Sequence, residues 1–175
     1  MWGGAGVDTF GGGDGRDRVS FYSLAATQGA IANLVTQTIS NDGYGNAETM
    51  ISIESLGAGT AFADSFTGDD SSNLLFAGFG DTVIANGGND TVFMDSAPAV
   101  LDGGTGNDTL AFAGDTNGML IADTDGDGLA EIVLATVGVE VDLRAGFVFN
   151  DGFGNSVAIS GFENIDGSEL GDTIV

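Results

Sequence analysis

The sequence predicts an all-β fold of short strands wound into stacked coils, and three observations predict it. Glycine-rich segments of nine residues recur in phase, an apolar residue stands two places after each phased position, and a longer alternating segment occurs twice. A tight turn, a polar residue and an inward apolar residue are what a short strand leaving a turn requires. Two nine-residue units would complete one coil, and stacked coils would bury the apolar positions.

The elements follow in order. GGAGVDTFG (Gly3 to Gly11) runs directly into GGDGRDRVS (Gly12 to Ser20), and GGTGNDTLA (Gly103 to Ala111) repeats the template; ANGGNDTVF (Ala85 to Phe93) is a looser fourth match. Stepping back from Asp108 by nines gives Ala99, Asp90 and Asp81, a step of eight gives Asn73, and a further nine gives Asp64. Two places beyond the phased positions stand Phe10, Val19, Phe66, Leu75, Val83, Val92, Leu101 and Leu110, all apolar. Between the repeats, Asn33 to Phe66 aligns with Asp142 to Ile174 and places Asn41-Asp42-Gly43-Tyr44-Gly45-Asn46 on Asn150-Asp151-Gly152-Phe153-Gly154-Asn155. Each copy alternates, turns at Asn-Asp-Gly, alternates again and re-enters the repeat at Asp64 or Asp172. The chain is thereby expected to be a single array over 1–175: repeats at 3–20, a strand-rich insertion at 21–63, repeats at 64–112, an acidic loop segment at 113–138, and a second insertion at 139–175.

Composition narrows the function. The 175 residues carry a formal charge of −23, with 31 glycines and without lysine, histidine or cysteine. Lacking histidine and cysteine, the chain has no Ser–His–Asp or Cys–His nucleophile system, no ordinary zinc site and no disulfide. Three arginines cannot track a phosphate backbone, so nucleic acid is not an expected partner. An anionic bilayer surface would repel the chain, and no apolar run is long enough for insertion into a membrane. Hard oxygen donors leave metal cations as the partner, calcium or magnesium before softer metals.

The repeat GGxGxDxUx, with U a large apolar residue, resembles the calcium-binding nonapeptide of RTX, or haemolysin-type, proteins. That resemblance implies a calcium-binding parallel β-roll or β-solenoid with strand-rich insertions. It also implies that the repeat aspartates and the carbonyls of their turns bind Ca2+ between stacked coils. Carried over, the metal candidates are Asp8, Asp17, Asp90 and Asp108, then Asp81, Asp64 and Asp172; Ala99 and Asn73 depart from the pattern. The physics agrees, because stacked carboxylates repel unless a cation bridges them. A further segment, Ile121 to Gly138, breaks the phase. Its Asp123, Asp125 and Asp127, with Gly128 next, resemble the first half of a DxDxDG calcium loop. Leu134 stands where an EF-hand has a bidentate glutamate, so the segment is closer to the loops of FG-GAP or dockerin-like repeats.

The function expected is a calcium-binding structural module that folds on binding the metal, in a secreted or bacterial cell-surface protein. An enzyme is not expected, because the acids sit in glycine turns rather than paired in an apolar cleft. The alternative is a polysaccharide- or surface-binding accessory module. Its glycan is unsupported by an aromatic row or basic groove: Trp2, Phe10, Phe21 and Tyr22 read as packing, and Arg16, Arg18 and Arg144 as charge balance. MWGGAGVDTF lacks the features of a signal peptide, and the resemblance points to type 1 export. Because the sequence opens inside a repeat and stops at Asp172-Thr-Ile-Val, a fragment or a unit stacking end to end with further repeats is expected.

Overall fold

The computed structural model describes residues 1–23, 25–57, 59–112, 119–122, 131–135 and 137–175. Among them every regular element is a strand. The chain alternates between two sheets.

In the first coil, β1 (Thr9–Gly11) lies in the larger sheet and β2 (Arg18–Ser20) in the smaller. Then β3 (Ala30–Asn33), β4 (Thr38–Asp42) and β5 (Glu48–Ile51) form an antiparallel meander within the larger sheet. Crossing again gives β6 (Ser55–Gly57), β7 (Ser65–Thr67), β8 (Leu74–Ala77) and β9 (Thr82–Ile84). A glycine pair, β10 (Gly87–Gly88), precedes β11 (Thr91–Met94) and β12 (Val100–Asp102); a second pair, β13 (Thr105–Gly106), precedes β14 (Thr109–Ala111). The hairpin β15 (Met119–Ala122) and β16 (Glu131–Leu134) is antiparallel. A second meander, β17 (Glu140–Asp142), β18 (Phe147–Asn150) and β19 (Val157–Ser160), leads through β20 (Asn164–Asp166) to β21 (Thr173–Ile174).

Sheet order makes the duplication visible. The 11-stranded sheet runs β1-β5-β4-β3-β7-β9-β12-β19-β18-β17-β21, so each meander is spliced between two strands of the roll. The six-stranded sheet runs β2-β6-β8-β11-β14-β20, and its pairs are all parallel. Successive coils in the roll align residues 17 or 18 apart, as in Phe66 with Val83 and Val92 with Leu110. This is a parallel β-roll with strand-rich insertions.

The core fills the space between the sheets. All eight residues two places after a phased position are buried, Phe10 and Leu101 only slightly less completely than the rest. Phe21 stacks on Phe66 with ring centroids 5.3 Å apart. On the smaller sheet Phe76 stacks on Phe93 at 5.0 Å, and the Arg18 guanidinium lies over the Phe76 ring.

The turns explain the glycine. The second and fourth positions of the repeat have positive φ: Gly4 and Gly6, Gly13 and Gly15, Asn86 and Gly88, Gly104 and Gly106. Glycine alone enters that region without a Cβ clash, and among the described residues the non-glycine exceptions are Gln37, Ser52 and Asn86. The first position is constrained by contact instead. A Cβ on Gly59 would lie 1.8 Å from Asp64 Oδ2, and one on Gly3 would lie 2.2 Å from Asp8 Oδ2. The aspartate five residues on folds back over that glycine.

Candidate metal centre

The phased residues form two columns, one along each sheet, in which a carboxylate accepts the backbone N–H of its neighbour in the adjoining coil. Along the larger sheet, Ala30 N donates to Asp64 Oδ1 at 2.5 Å and Asp64 N to Asp81 Oδ1 at 2.8 Å. Along the smaller sheet, Asn73 N donates to Asp90 Oδ1 and Asp90 N to Asp108 Oδ1, both at 2.7 Å, and Asp108 N to Glu163 Oε2 at 2.9 Å. Asp17 N likewise donates to Glu54 Oε2 at 3.0 Å.

The two columns differ in what remains unsatisfied. Asp64 also accepts Thr60 N and Thr60 Oγ1, and Asp81 Oδ2 accepts Gly78 N, so each of their oxygens has a donor. Asn73 closes its own turn, with Oδ1 accepting Asp69 N and Nδ2 donating to Asp69 Oδ1. Its neutral amide replaces a charge with an internal donor. Asp90 Oδ2 and Asp108 Oδ2, in contrast, are buried and have no donor at all.

Asp90 and Asp108 each follow one of two stacked turns. Gly87–Gly88 and Thr105–Gly106 pair in parallel register, so the turn leading to Asp90 lies directly on the turn leading to Asp108. A Cβ on Gly106 would lie 1.5 Å from Gly88 O, and one on Gly104 1.9 Å from Asn86 O. The main chains are therefore packed with their carbonyl oxygens at close quarters. Buried carboxylate oxygens without donors, beside carbonyl-rich turns, fit a hard cation that takes six to eight oxygens in irregular geometry. Among the described residues no three acidic side chains converge on one point, so backbone carbonyls must complete any such site.

Electrostatics in the metal-free fold are unfavourable to the ionised acids. Burial pushes Asp81 up to about 7, against the bond from Asp64 N and with help from the Asp64 charge. Burial likewise pushes Asp90 up to about 6, opposed by the Asn73 N–H and reinforced by Asp108. Asp64 and Asp108 are raised for the same first reason. A bound cation would reverse that balance, because its charge favours the ionised form.

The remaining candidates are placed less tightly. Asp8 and Asp17, adjacent in the sequence repeat, lie before β1 and β2 and so belong to opposite sheets. Both are half-buried. Asp172 Oδ1 accepts Val139 N at 2.9 Å and Ser168 Oγ at 2.6 Å. Ala99 faces Asp81 across the sheet, and its N–H goes to the Asp81 carbonyl rather than to a carboxylate. Asp123, Asp125 and Asp127 lie outside the described residues.

Three glutamates that the nonapeptide template passes over share the columns. The strand registers put Glu48 beside Asp8, Glu54 beside Asp17 and Glu163 beside Asp108. Each precedes a buried or half-buried apolar residue by two places, namely Met50, Leu56 and Ile165. The rule that identifies the phased aspartates would have found them. No GGxGx turn announces them, since they lie within the insertions.

A two-sheet roll of short parallel strands, with buried carboxylates without donors beneath stacked glycine turns, is a cation-binding β-roll. The family model of the RTX calcium-binding nonapeptide repeat matches the chain in four copies, over residues 1–19, 58–84, 81–95 and 100–117. The chain thus carries RTX-type calcium-binding nonapeptide repeats over these segments, and repeats of this kind bind Ca2+. Comparison with curated proteins gives no match.

Proposed function

We propose that this chain is a structural module whose folding and rigidity depend on calcium, within a secreted or cell-surface protein. The observation that carries the reading is the pair of donorless buried oxygens, Asp90 Oδ2 and Asp108 Oδ2, in consecutive coils. Leaving a charged carboxylate buried and unpaired is costly. A cation between the turns removes that penalty, and the unfolded chain offers no preformed site, so binding free energy becomes folding free energy. Asp90 and Asp108 are the best-supported ligands, with the carbonyls of turns 85–88 and 103–106. Asp8, Asp17, Asp64, Asp81 and Asp172 are further candidates in the same columns.

Calcium supplies charge neutralisation and cross-linking of coils, while the residues of the chain supply the scaffold. The Asp–N–H ladder sets the spacing between coils, and the first glycine of each unit lets the carboxylate fold over the turn. Secretion into a calcium-rich medium would then separate a poorly ordered chain inside the cell from a folded one outside. Titrating the chelated protein with calcium, followed by circular dichroism, tests this. The strand signal should rise with calcium and fall again with excess chelator; an identical strand signal in both conditions would overturn the proposal.

A further inference from the structure

The metal that the repeat implies does not fit every phased aspartate. In the turns leading to Asp90 and Asp108 the second and fourth positions are Asn86, Gly88, Gly104 and Gly106, all at positive φ. The corresponding positions are Thr60 and Phe62 before Asp64, and Ala77 and Phe79 before Asp81. None of these four has positive φ. Phe62 and Phe79 are 44% and 75% exposed, so the fourth position of both turns sends an aromatic ring into solvent where the other turns have glycine. A backbone bearing Cβ atoms there takes a different path, because side chains exclude the left-handed region. Among the described residues, β10 and β13 are the one pair of repeat turns that bond to each other in strand register, and they lead to Asp90 and Asp108.

Donors of the chain itself surround the two carboxylates instead. Asp64 Oδ1 accepts Ala30 N and the Thr60 hydroxyl, and Asp64 Oδ2 accepts Thr60 N at 2.7 Å. Asp81 Oδ1 accepts Asp64 N, and Asp81 Oδ2 accepts Gly78 N at 2.6 Å. Asp64 thereby uses three of the roughly four acceptor positions of a carboxylate. Each donor presents its positive hydrogen to the oxygen, the place a cation would take, and hydrogen bonds to an ionised acceptor are the strong ones. The column is also closed by apolar residues, with Ala30 level with Asp64 in one adjoining coil and Ala99 level with Asp81 in the other. Neither brings a further carboxylate between coils. Calcium at these turns would have to displace donors already in place; Asp90 Oδ2 and Asp108 Oδ2 have none to lose.

We propose that the turns before Asp64 and Asp81 carry no calcium, so that in the middle of the roll the metal loads along the smaller sheet only, and that Thr60 and the Gly78 N–H stand in for the cation. The inference rests on the reading of the chain as a calcium module and narrows it, because Asp64 and Asp81 leave the set of candidate ligands. Nuclear magnetic resonance of the full chain, with terbium exchanged for calcium, tests it, since a paramagnetic ion broadens the amide signals around it. The signals of Gly88, Asp90, Gly106 and Asp108 should be lost, while those of Thr60, Ala63 and Gly78 persist. Thr60→Val, which keeps the shape and removes the hydroxyl, gives a second readout. In saturating calcium its Tm should fall by at least about 3 °C, because a hydrogen bond to a charged group is lost. Loss of the Thr60 and Gly78 signals together with that of Gly88, or an unchanged Tm for Thr60→Val, would overturn the metal-free turns while leaving the module intact. A parent chain that binds neither calcium nor terbium would overturn both.

Discussion

Replacing Asp90 by asparagine separates the two roles of the carboxylate ladder. Asparagine keeps an oxygen for the Asn73 N–H, now 2.7 Å from Asp90 Oδ1, and removes the charge from the donorless side. Burial has pushed Asp90 from 3.8 up to about 6. At about 1.4 kcal/mol per unit, the ionised group disfavours the metal-free fold by about 3 kcal/mol above pH 7. Against this, the new NH₂ lacks an acceptor, which costs about 1–3 kcal/mol. The chelated variant should therefore be as stable as the parent or up to about 2 kcal/mol more so. In calcium the lost charge counts against the variant. A site at ten times its dissociation constant contributes about 1.4 kcal/mol, and a domain of this size shifts by about 2–4 °C per kcal/mol. Asp90→Asn should then shrink the calcium-induced rise in Tm by about 3–6 °C. Thermal melts by circular dichroism, with chelator and with calcium, measure both arms. An equal drop in Tm under the two conditions would refute the reasoning, because it would make Asp90 a hydrogen-bond acceptor and nothing more.

Further expectations follow from the same structure. With chelator present, stability should fall between pH 5 and pH 8. The folded-state values of Asp81 and Asp90 are raised to about 7 and about 6, so the stability they contribute is full below their unfolded values and is lost as pH rises through the folded ones. Calcium should invert that trend, since its ligands must be ionised; urea midpoints at the two pH values, with and without calcium, check it. Gly106→Ala should destabilise by about 3 kcal/mol or more through overpacking, because its Cβ would meet Gly88 O at 1.5 Å. Gly13→Ala, at φ +86° with nothing within 4 Å, should cost only the left-handed strain of about 1–2 kcal/mol; urea unfolding in calcium compares the two.

The eight phased apolar residues were legible because a strand leaving a tight turn must bury every second side chain, and their spacing in the sequence carries that information directly. So were the glycine turns and the duplication, whose Asn-Asp-Gly loops close on themselves through contacts at most four residues apart. Asp90 and Asp108 could be proposed from phase alone. What phase could not show is that Asp64 and Asp81 are fully supplied with donors while Asp90 and Asp108 are not. Thr60 and Gly78 decide that difference, and neither is marked by the repeat. Glu54 and Glu163 were hidden for another reason: they stand inside the segments read as insertions, where no nonapeptide phase points to them.

By itself, then, the sequence determined the all-β repeat, its phase, its inward face and the acidity of its turns, since each depends on residues near one another in the chain. Tertiary structure alone decided which acids became neighbours. Splicing each meander between strands of the larger sheet put Glu48 beside Asp8 and Val157 beside Ala99. Charge repulsion and cation binding act across space between coils, so the partners of a carboxylate are fixed by strand order and register rather than by distance along the chain.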